Sequence, residues 1–189
     1  YAWPAGILQR IRETGEDVNL YIFNSTGNWS RDAGYNRAEY NIYNLPELSD
    51  FDGIILELNN ISSPAVLADV ISNAKRSGRP VVSIANELGD FYYVGIDNYS
   101  AMKQVIAHLH EVHDCKKFWL LVGAQDNYES SCRLQGMLDY AKEHKIKIDK
   151  DDIWYGSFDY KSGLEGYKHL WDRHKELPDA VICINDNVA

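Results

Sequence analysis

The chain has 189 residues, 45% of them hydrophobic and 25% charged, which is typical of a globular protein large enough to bury a core. Its formal net charge of -9 opposes binding to a phosphate backbone, and no Lys/Arg stripe reverses that charge locally, so direct nucleic-acid contact is not expected. No segment approaches the roughly 20 consecutive apolar residues of a membrane span, so no membrane association is expected.

Apolar periodicity switches between the helical and the strand period along the chain. The first residues predict a helix on Ile7, Leu8 and Ile11 that ends around Gly15, and the polar stretch 24–37 is predicted to be irregular. Short runs rich in Val, Ile and Leu predict seven strands, which suit a sheet covered on both faces. These strands are Val18 to Phe23, Gly53 to Leu58, Pro80 to Ile84, Tyr93 to Ile96, Phe118 to Val122, Ile153 to Tyr155 and Ala180 to Ile184.

Further helical stripes lie between these strands. One follows the cap-like pair Ser63-Pro64, one begins near Asn98, and one is opened by Asp126 with Glu129 three residues later. The last stripe consists of Leu164, Tyr167, Leu170 and Trp171. This alternation predicts parallel strands joined by right-handed crossovers, the doubly wound α/β architecture. Because the chain opens on a helix and closes on a strand, both ends are expected to be cut.

The sequence lacks the motifs that mark most α/β enzymes. It contains no G-x-G-x-x-G, no G-x-x-x-x-G-K-[ST] and no G-x-S-x-G, so neither catalytic residues nor a cofactor is predicted. In "HLHEVHD", His110 and His113 are predicted to share a helix face, while His108 points elsewhere. Solvated histidines at a helix end are favoured over a metal site.

The cysteines and the first residues bear on the compartment. The cysteines are Cys115, Cys132 and Cys183, an odd number without a C-x-x-C pair, which argues against a disulfide framework or a zinc knuckle. The start lacks the basic and apolar regions of a secretory signal peptide. Both observations predict a reducing, cytoplasmic location.

Ligands of open α/β sheets bind beyond the carboxyl ends of the strands. In this chain those ends carry mostly neutral amides and small residues, with one aromatic. They are Asn24, Ser25, Asn59, Asn60, Ala85, Asn86, Gly123 to Gln125, Gly156 to Phe158, Asn185 and Asp186. Such side chains suit a neutral polyhydroxyl or amide-bearing ligand, although Asn and Gly are also ordinary turn residues.

Several short sequence features, each unspecific by itself, follow one another along the chain with a particular order and spacing. They are Asp97-Asn98 before a helix that reaches His108-Leu109, the strand Phe118 to Gly123, Arg133 with Gly136, Phe158 within Gly156 to Gly163, and Pro178-Asp179 leading to Asn185-Asp186. In the first half, "FDGIILELNN" and "SGRPVVSIAN" match two further strands. Together they resemble the effector-binding core of the lactose-repressor family, which has the type I periplasmic-binding-protein fold.

The resemblance implies two Rossmann-like α/β lobes with parallel sheets around a central cleft. Residues 1–97 would form the N-terminal lobe without its first strand, and residues 98–189 the C-terminal lobe without its return crossing. In that family the matching residues imply that Arg133 and Asn185 hydrogen-bond ligand hydroxyls and that Phe158 packs on the ligand. Asn86 lies near a family position that often bears an acid, and its amide leaves the identity of a sugar open.

By this resemblance, the region is a ligand-sensing domain, expected to be a homodimer, that binds a small polar molecule such as a sugar or nucleoside. Lobe closure would bias an attached output module, as in a transcriptional repressor. The segment "RAEYNIYNLPELSDFDGIIL" is also similar in style to sensors fused to diguanylate cyclases or histidine kinases, and this similarity slightly favours such an output. The alternatives are a secreted solute-binding protein of a transporter and, less favoured, an α/β enzyme.

Overall fold

The structure is a computed structural model that describes residues 2–25, 32–59, 61, 63–125 and 127–189. Asn60 and Asp126, which the sequence analysis names, lie outside the described residues. The helices are α1 Ala2–Thr14, α2 Ala33–Tyr40, α3 Pro64–Arg76, α4 Asn98–His113, α5 Tyr128–Glu143 and α6 Tyr160–His174. The strands are β1 Ile54–Glu57, β2 Val81–Ile84, β3 Tyr92–Val94, β4 Phe118–Val122, β5 Ile153–Tyr155 and β6 Ala180–Cys183.

The described strands form two three-stranded sheets. The first has the order β1-β2-β3, and β2 runs parallel to β3 with Ser83 opposite Tyr93. The second has the order β5-β4-β6, and both of its pairings are parallel. Every residue of the central strand β4 is buried, as expected for a strand covered by helices on both faces. The predicted α/β class with parallel sheets is confirmed.

The chain divides into two compact units. One unit comprises Tyr1–Ile54 and Asn60–Val81, and the other comprises Ile55–Asn59 and Val82–Ala189. The predicted lobes, 1–97 and 98–189, stay a prediction.

The larger unit has a core built on β4. Ile106, Leu120, Met137 and Leu170 are each 0% exposed and bring α4, α5 and α6 onto this strand. Helices α4 and α5 approach closely at Gly136, where an added Cβ would lie 2.3 Å from the carbonyl oxygen of Tyr99. A residue without a side chain is therefore needed at that point of α5.

Two sequence predictions about the first unit are wrong. Residues 18–23 form no strand, and Val18, Tyr21 and Ile22 are all exposed, because no strand pairs with this run among the described residues. The stretch 24–37 is not wholly irregular, since α2 begins at Ala33. The side chain of Asp32 caps this helix by accepting hydrogen bonds from two backbone N–H groups of its first turn.

Candidate ligand-binding site

Arg133 lies on the second turn of α5 and is half-buried. Its Nε donates to Oδ1 of Asn98 at 2.7 Å, and its Nη1 donates to the carbonyl of Ile184 at 2.8 Å. Both acceptors are neutral, and no described residue forms an ion pair with Arg133. Because a guanidinium has five N–H donors and two are used, about three remain for other partners.

Asn185 lies two residues after the end of β6 and is held by two hydrogen bonds. Its Nδ2 donates to the carbonyl of Phe158 at 3.3 Å, and its Oδ1 accepts from the N–H of Val188 at 3.0 Å. The neighbouring residue Ile184 donates its N–H to Leu121 of β4 at 2.9 Å and accepts from Arg133. The structure thus brings Arg133, Asn185 and Phe158 to the same end of the second sheet.

The half-buried ring of Phe158 lies over Gly123, the residue that follows β4. An added Cβ at Gly123 would lie 2.3 Å from Cε1 of this ring, so glycine is needed for the ring to reach the end of the strand. Phe158 also packs against the core, and it therefore has a structural role besides its predicted contact with a ligand.

Asn86 lies at the carboxyl end of the first sheet. Its Nδ2 donates to Oδ1 of Asn59 at 3.0 Å, and its carbonyl accepts from the hydroxyl of Ser83 at 2.6 Å. No hydrogen bond within the described residues joins Asn86 to Arg133, Asn185 or Phe158. The predicted ligand contacts of these residues stay predictions.

Two residues of this site, Asn98 and Glu129, were not predicted as functional. Asn98 is 5% exposed, and its Nδ2 donates to Oε1 of Glu129 at 3.2 Å. Asn98 directly follows Asp97, whose side chain caps α4. The pair Asp97-Asn98 is one mark of the family resemblance, but neither the resemblance nor the periodicity of α4 predicts a contact between Asn98 and Arg133.

No protein-family model matches the chain. Catabolite control protein A from Staphylococcus epidermidis is 29% identical over 153 residues, which cover 80% of this chain and 44% of that protein. The Staphylococcus xylosus protein of the same name is 31% identical over 152 residues, with the same coverage. The chain therefore spans less than half the length of these curated relatives.

Solved structures with a similar fold are also transcriptional regulators by their descriptions. A sugar-binding transcriptional regulator of the LacI family from Escherichia coli, in complex with phosphate, superposes with a TM-score of 0.70 at 22% identity, covering 97% of this chain and 62% of that chain. The chain has the LacI-type effector-binding fold. The complex of the regulator CelR with cellobiose matches with a TM-score of 0.60 at 27% identity, over 72% of this chain and 41% of that chain. The resemblance drawn from the sequence is confirmed.

Carboxylates lie close to the residues of the candidate site that follow the strands of the first sheet. Half-burial raises the pKa of Glu57, with a smaller contribution from the charge of Glu129, while the N–H of Asn59 opposes the change. The hydroxyl of Tyr128 donates to Oε2 of Glu87 at 3.2 Å, and burial is the largest cause that raises the pKa of Tyr128. This bond links the start of α5 to the residue that follows Asn86.

An open depression of about 360 Å³ lies beside the candidate site, between the ends of β4 and β5 and the first turns of α5. Gln125, Ser131, Gln135 and Tyr155 are among the residues that line it, whereas Arg133 is not. Its hydroxyls and amides match the neutral polar character expected of the strand ends.

The histidines of the LacI-type chain are arranged differently from the prediction. Nε2 of His113 lies 3.2 Å from Nε2 of His108, and Nδ1 of His110 lies 3.1 Å from the hydroxyl of Tyr140. The expectation that His108 points away from His113 is wrong, because the two rings are in contact. Helix α4 ends at His113, and Asp114 then adopts a left-handed conformation with φ of 54°. In the described part of the chain, no group of three or more His, Cys, Asp or Glu residues could hold a metal ion.

All three cysteines are unpaired. Within residues 2–25, 32–59, 61, 63–125 and 127–189, no helix has the length and apolar character needed to cross a bilayer. Two further curated relatives are named as an HTH-type transcriptional regulator, CelR, and as a transcriptional repressor of arabinose metabolism, in agreement with the predicted non-enzymatic role.

Proposed function

We propose that this region is the ligand-sensing part of a transcriptional regulator and that it binds a small polar molecule, such as a sugar, beside Arg133. The observation that carries the proposal is the half-buried guanidinium, which two neutral acceptors hold and no described carboxylate pairs with. A charge withdrawn from water without a counter-ion is costly unless polar partners satisfy its remaining donors. Ligand oxygens are suitable partners for these donors.

The chemistry of the neighbouring groups supports a sugar. A hydroxyl accepts a hydrogen bond from the guanidinium of Arg133 and donates one to the amide oxygen of Asn185, which has a second lone pair available. The ring of Phe158 offers an apolar surface for C–H groups. The amide pair of Asn86 and Asn59 would supply further contacts from the first sheet.

Signalling requires that the ligand prefers one conformation. We propose that it closes the lobes 1–97 and 98–189 because it contacts both, since a ligand shifts an equilibrium only by its difference in affinity for the two states. One of the solved neighbours is described as a complex of a regulator with cellobiose, which supports a sugar as effector.

The relatives also bear on the output module and the location. CelR from Thermobifida fusca is named as an HTH-type transcriptional regulator, and a relative from Halalkalibacterium halodurans is named as a transcriptional repressor of arabinose metabolism. These names favour a DNA-binding output over the cyclase or kinase output that the sequence slightly favoured. We propose a cytoplasmic homodimer in which this region makes no direct DNA contact. The three unpaired cysteines weigh against the alternative of a secreted solute-binding protein.

Thermal unfolding of the full-length protein tests the proposal. D-glucose, L-arabinose, cellobiose and adenosine are each added at increasing concentration, and a compound at 100 times its Kd should add about 2.7 kcal/mol to the free energy of unfolding. Arg133→Ala should greatly reduce the stabilisation. The matched control is Arg173→Ala, which removes a surface arginine that pairs with Asp151. If Arg133→Ala keeps the full stabilisation, the proposed site is wrong.

A further inference from the structure

Asn98 is a buried amide whose hydrogen bonds are all satisfied. It is 5% exposed, and its Nδ2 donates to the carbonyl of Ile96 at 3.3 Å and to Oε1 of Glu129 at 3.2 Å. Its Oδ1 accepts from Nε of Arg133 at 2.7 Å. A flipped amide would place its N–H groups against the N–H of Arg133 and its oxygen against the carboxylate of Glu129, so only one orientation satisfies every partner.

This amide lies between a carboxylate and a guanidinium. Glu129 binds to the donor side of Asn98, and Arg133 binds to its acceptor side. A direct pair of Glu129 with Arg133 would occupy guanidinium donors and neutralise the charge. Because Asn98 intervenes, Arg133 is oriented by a hydrogen bond and keeps its positive charge available.

The packing of the helices keeps Asn98 within reach of Arg133. Gly136, one turn after Arg133 on α5, lies so close to α4 that an added Cβ would be 2.3 Å from the carbonyl oxygen of Tyr99. Tyr99 directly follows Asn98, so the same contact that requires glycine brings Asn98 to α5. Arg133 then donates to Ile184, the residue before Asn185, and thereby joins the start of α4 to the end of β6.

We propose that Asn98 is a positioning residue that fixes the guanidinium of Arg133 for ligand binding. The ligand contact of Arg133 rests on the proposed function, whereas the positioning is a property of the unliganded protein. Asn98 itself need not touch the ligand. Its replacement should therefore weaken binding only through Arg133.

The positioning is tested without a ligand by the rate at which phenylglyoxal, an arginine-specific reagent, modifies Arg133 in the full-length protein. Peptide mass spectrometry follows Arg133, with exposed Arg10 as internal reference. Asn98→Ala should accelerate modification of Arg133 by roughly tenfold, the effect expected from losing a hydrogen bond to a charged group. Asn98→Asp, which keeps an acceptor for Nε, should leave Arg133 protected.

The matched control is Ser83→Ala, which removes a hydroxyl that is 0% exposed and bonds to Asn86 without contacting Arg133. It should leave the modification rate of Arg133 unchanged. If Asn98→Ala does not fold, Glu129→Ala tests the proposal instead. This variant keeps Asn98 but removes the acceptor that orients its amide, so it too should accelerate modification of Arg133. Unchanged protection of Arg133 in the folded variants would overturn the proposal.

Binding of cellobiose or L-arabinose then separates the two proposals. Asn98→Ala should raise the Kd by roughly tenfold, and it should have no further effect in the Arg133→Ala background, because both replacements remove one interaction. Independent, additive losses would contradict positioning. If Arg133→Ala leaves sugar binding intact, the proposed function fails, while the phenylglyoxal result still decides the role of Asn98.

Discussion

Gly136→Ala tests the contact between α4 and α5 on which the site depends. The added methyl group would lie 2.3 Å from the carbonyl oxygen of Tyr99, 3.1 Å from its carbonyl carbon and 3.3 Å from the backbone nitrogen of Lys103. The shortest distance is about 1.1 Å below the 3.4 Å at which ordinary contact begins. All three neighbouring atoms belong to the backbone, so no side chain can rotate away and the helices must separate.

The magnitude follows from two opposing effects. Overpacking that displaces backbone typically costs about 1–3 kcal/mol, whereas alanine gains about 1 kcal/mol over glycine inside a helix. Because all three close contacts are to backbone atoms, the overpacking cost should lie in the upper part of this range, about 2–3 kcal/mol. After the gain of about 1 kcal/mol from alanine, we expect a net destabilisation of about 1–2 kcal/mol. Separation of the helices should also lengthen the bond between Asn98 and Arg133 and accelerate phenylglyoxal modification of Arg133.

Urea unfolding of the full-length protein measures the stability change. With a slope of about 2 kcal/mol/M, the midpoint for Gly136→Ala should fall by roughly 0.5–1 M. Gly6→Ala is the matched control, since Gly6 also lies within a helix but has no atom within 4 Å of an added Cβ. This variant should be as stable as the parent or more stable. If Gly136→Ala behaves in the same way, the inferred close approach of α4 and α5 is wrong.

Two pH-dependent predictions follow from the same unit. The backbone N–H groups of Lys116 and Lys117 donate to the carboxylate of Asp179 at 2.7 and 2.8 Å, and these bonds lower the pKa of Asp179. The stabilisation that Asp179 contributes should therefore be complete above its unfolded pKa and disappear as the pH falls through its folded pKa. Asp179→Asn should make stability depend less on pH in acid unfolding, which circular dichroism follows. The pKa of Tyr140 is raised to about 12, mainly by burial and then by the hydrogen bond to Glu111. Because the pKa of an unfolded tyrosine is about 10, the free energy of unfolding should decline as the pH rises above that value. Tyr140→Phe should reduce this decline in alkaline urea titrations and cost about 1 kcal/mol at neutral pH.

The sequence predicts the second sheet well because its strands are short apolar runs that helices cover on both faces. Strand β4 coincides with the predicted Phe118 to Val122. The same reasoning fails for Val18 to Phe23, since an apolar run becomes a strand only when another strand pairs with it, and none does among the described residues. Composition and period specify what a segment can become, whereas pairing depends on the rest of the chain.

The candidate site shows the same limit at the level of single residues. Arg133, Asn185 and Phe158 were predicted from a resemblance, and the structure brings them to one end of the second sheet. Asn98, which bonds to Arg133, lies 35 positions away in sequence. Which residue its amide contacts depends on how α4 packs against α5. Periodicity describes each helix separately, so it carries no information about such a bond.

The spacing of Arg133 and Gly136 has a physical reason within this chain. Residues three apart on a helix lie on neighbouring turns of one face, so the face of α5 that carries the arginine also carries the glycine against which α4 packs. The glycine permits the close approach, and the approach brings Asn98 within 2.7 Å of the guanidinium. One helical turn thus combines a packing requirement with the proposed ligand-binding group. A larger residue at position 136 should therefore impair ligand binding as well as stability, although Gly136 is not itself one of the predicted ligand-binding residues.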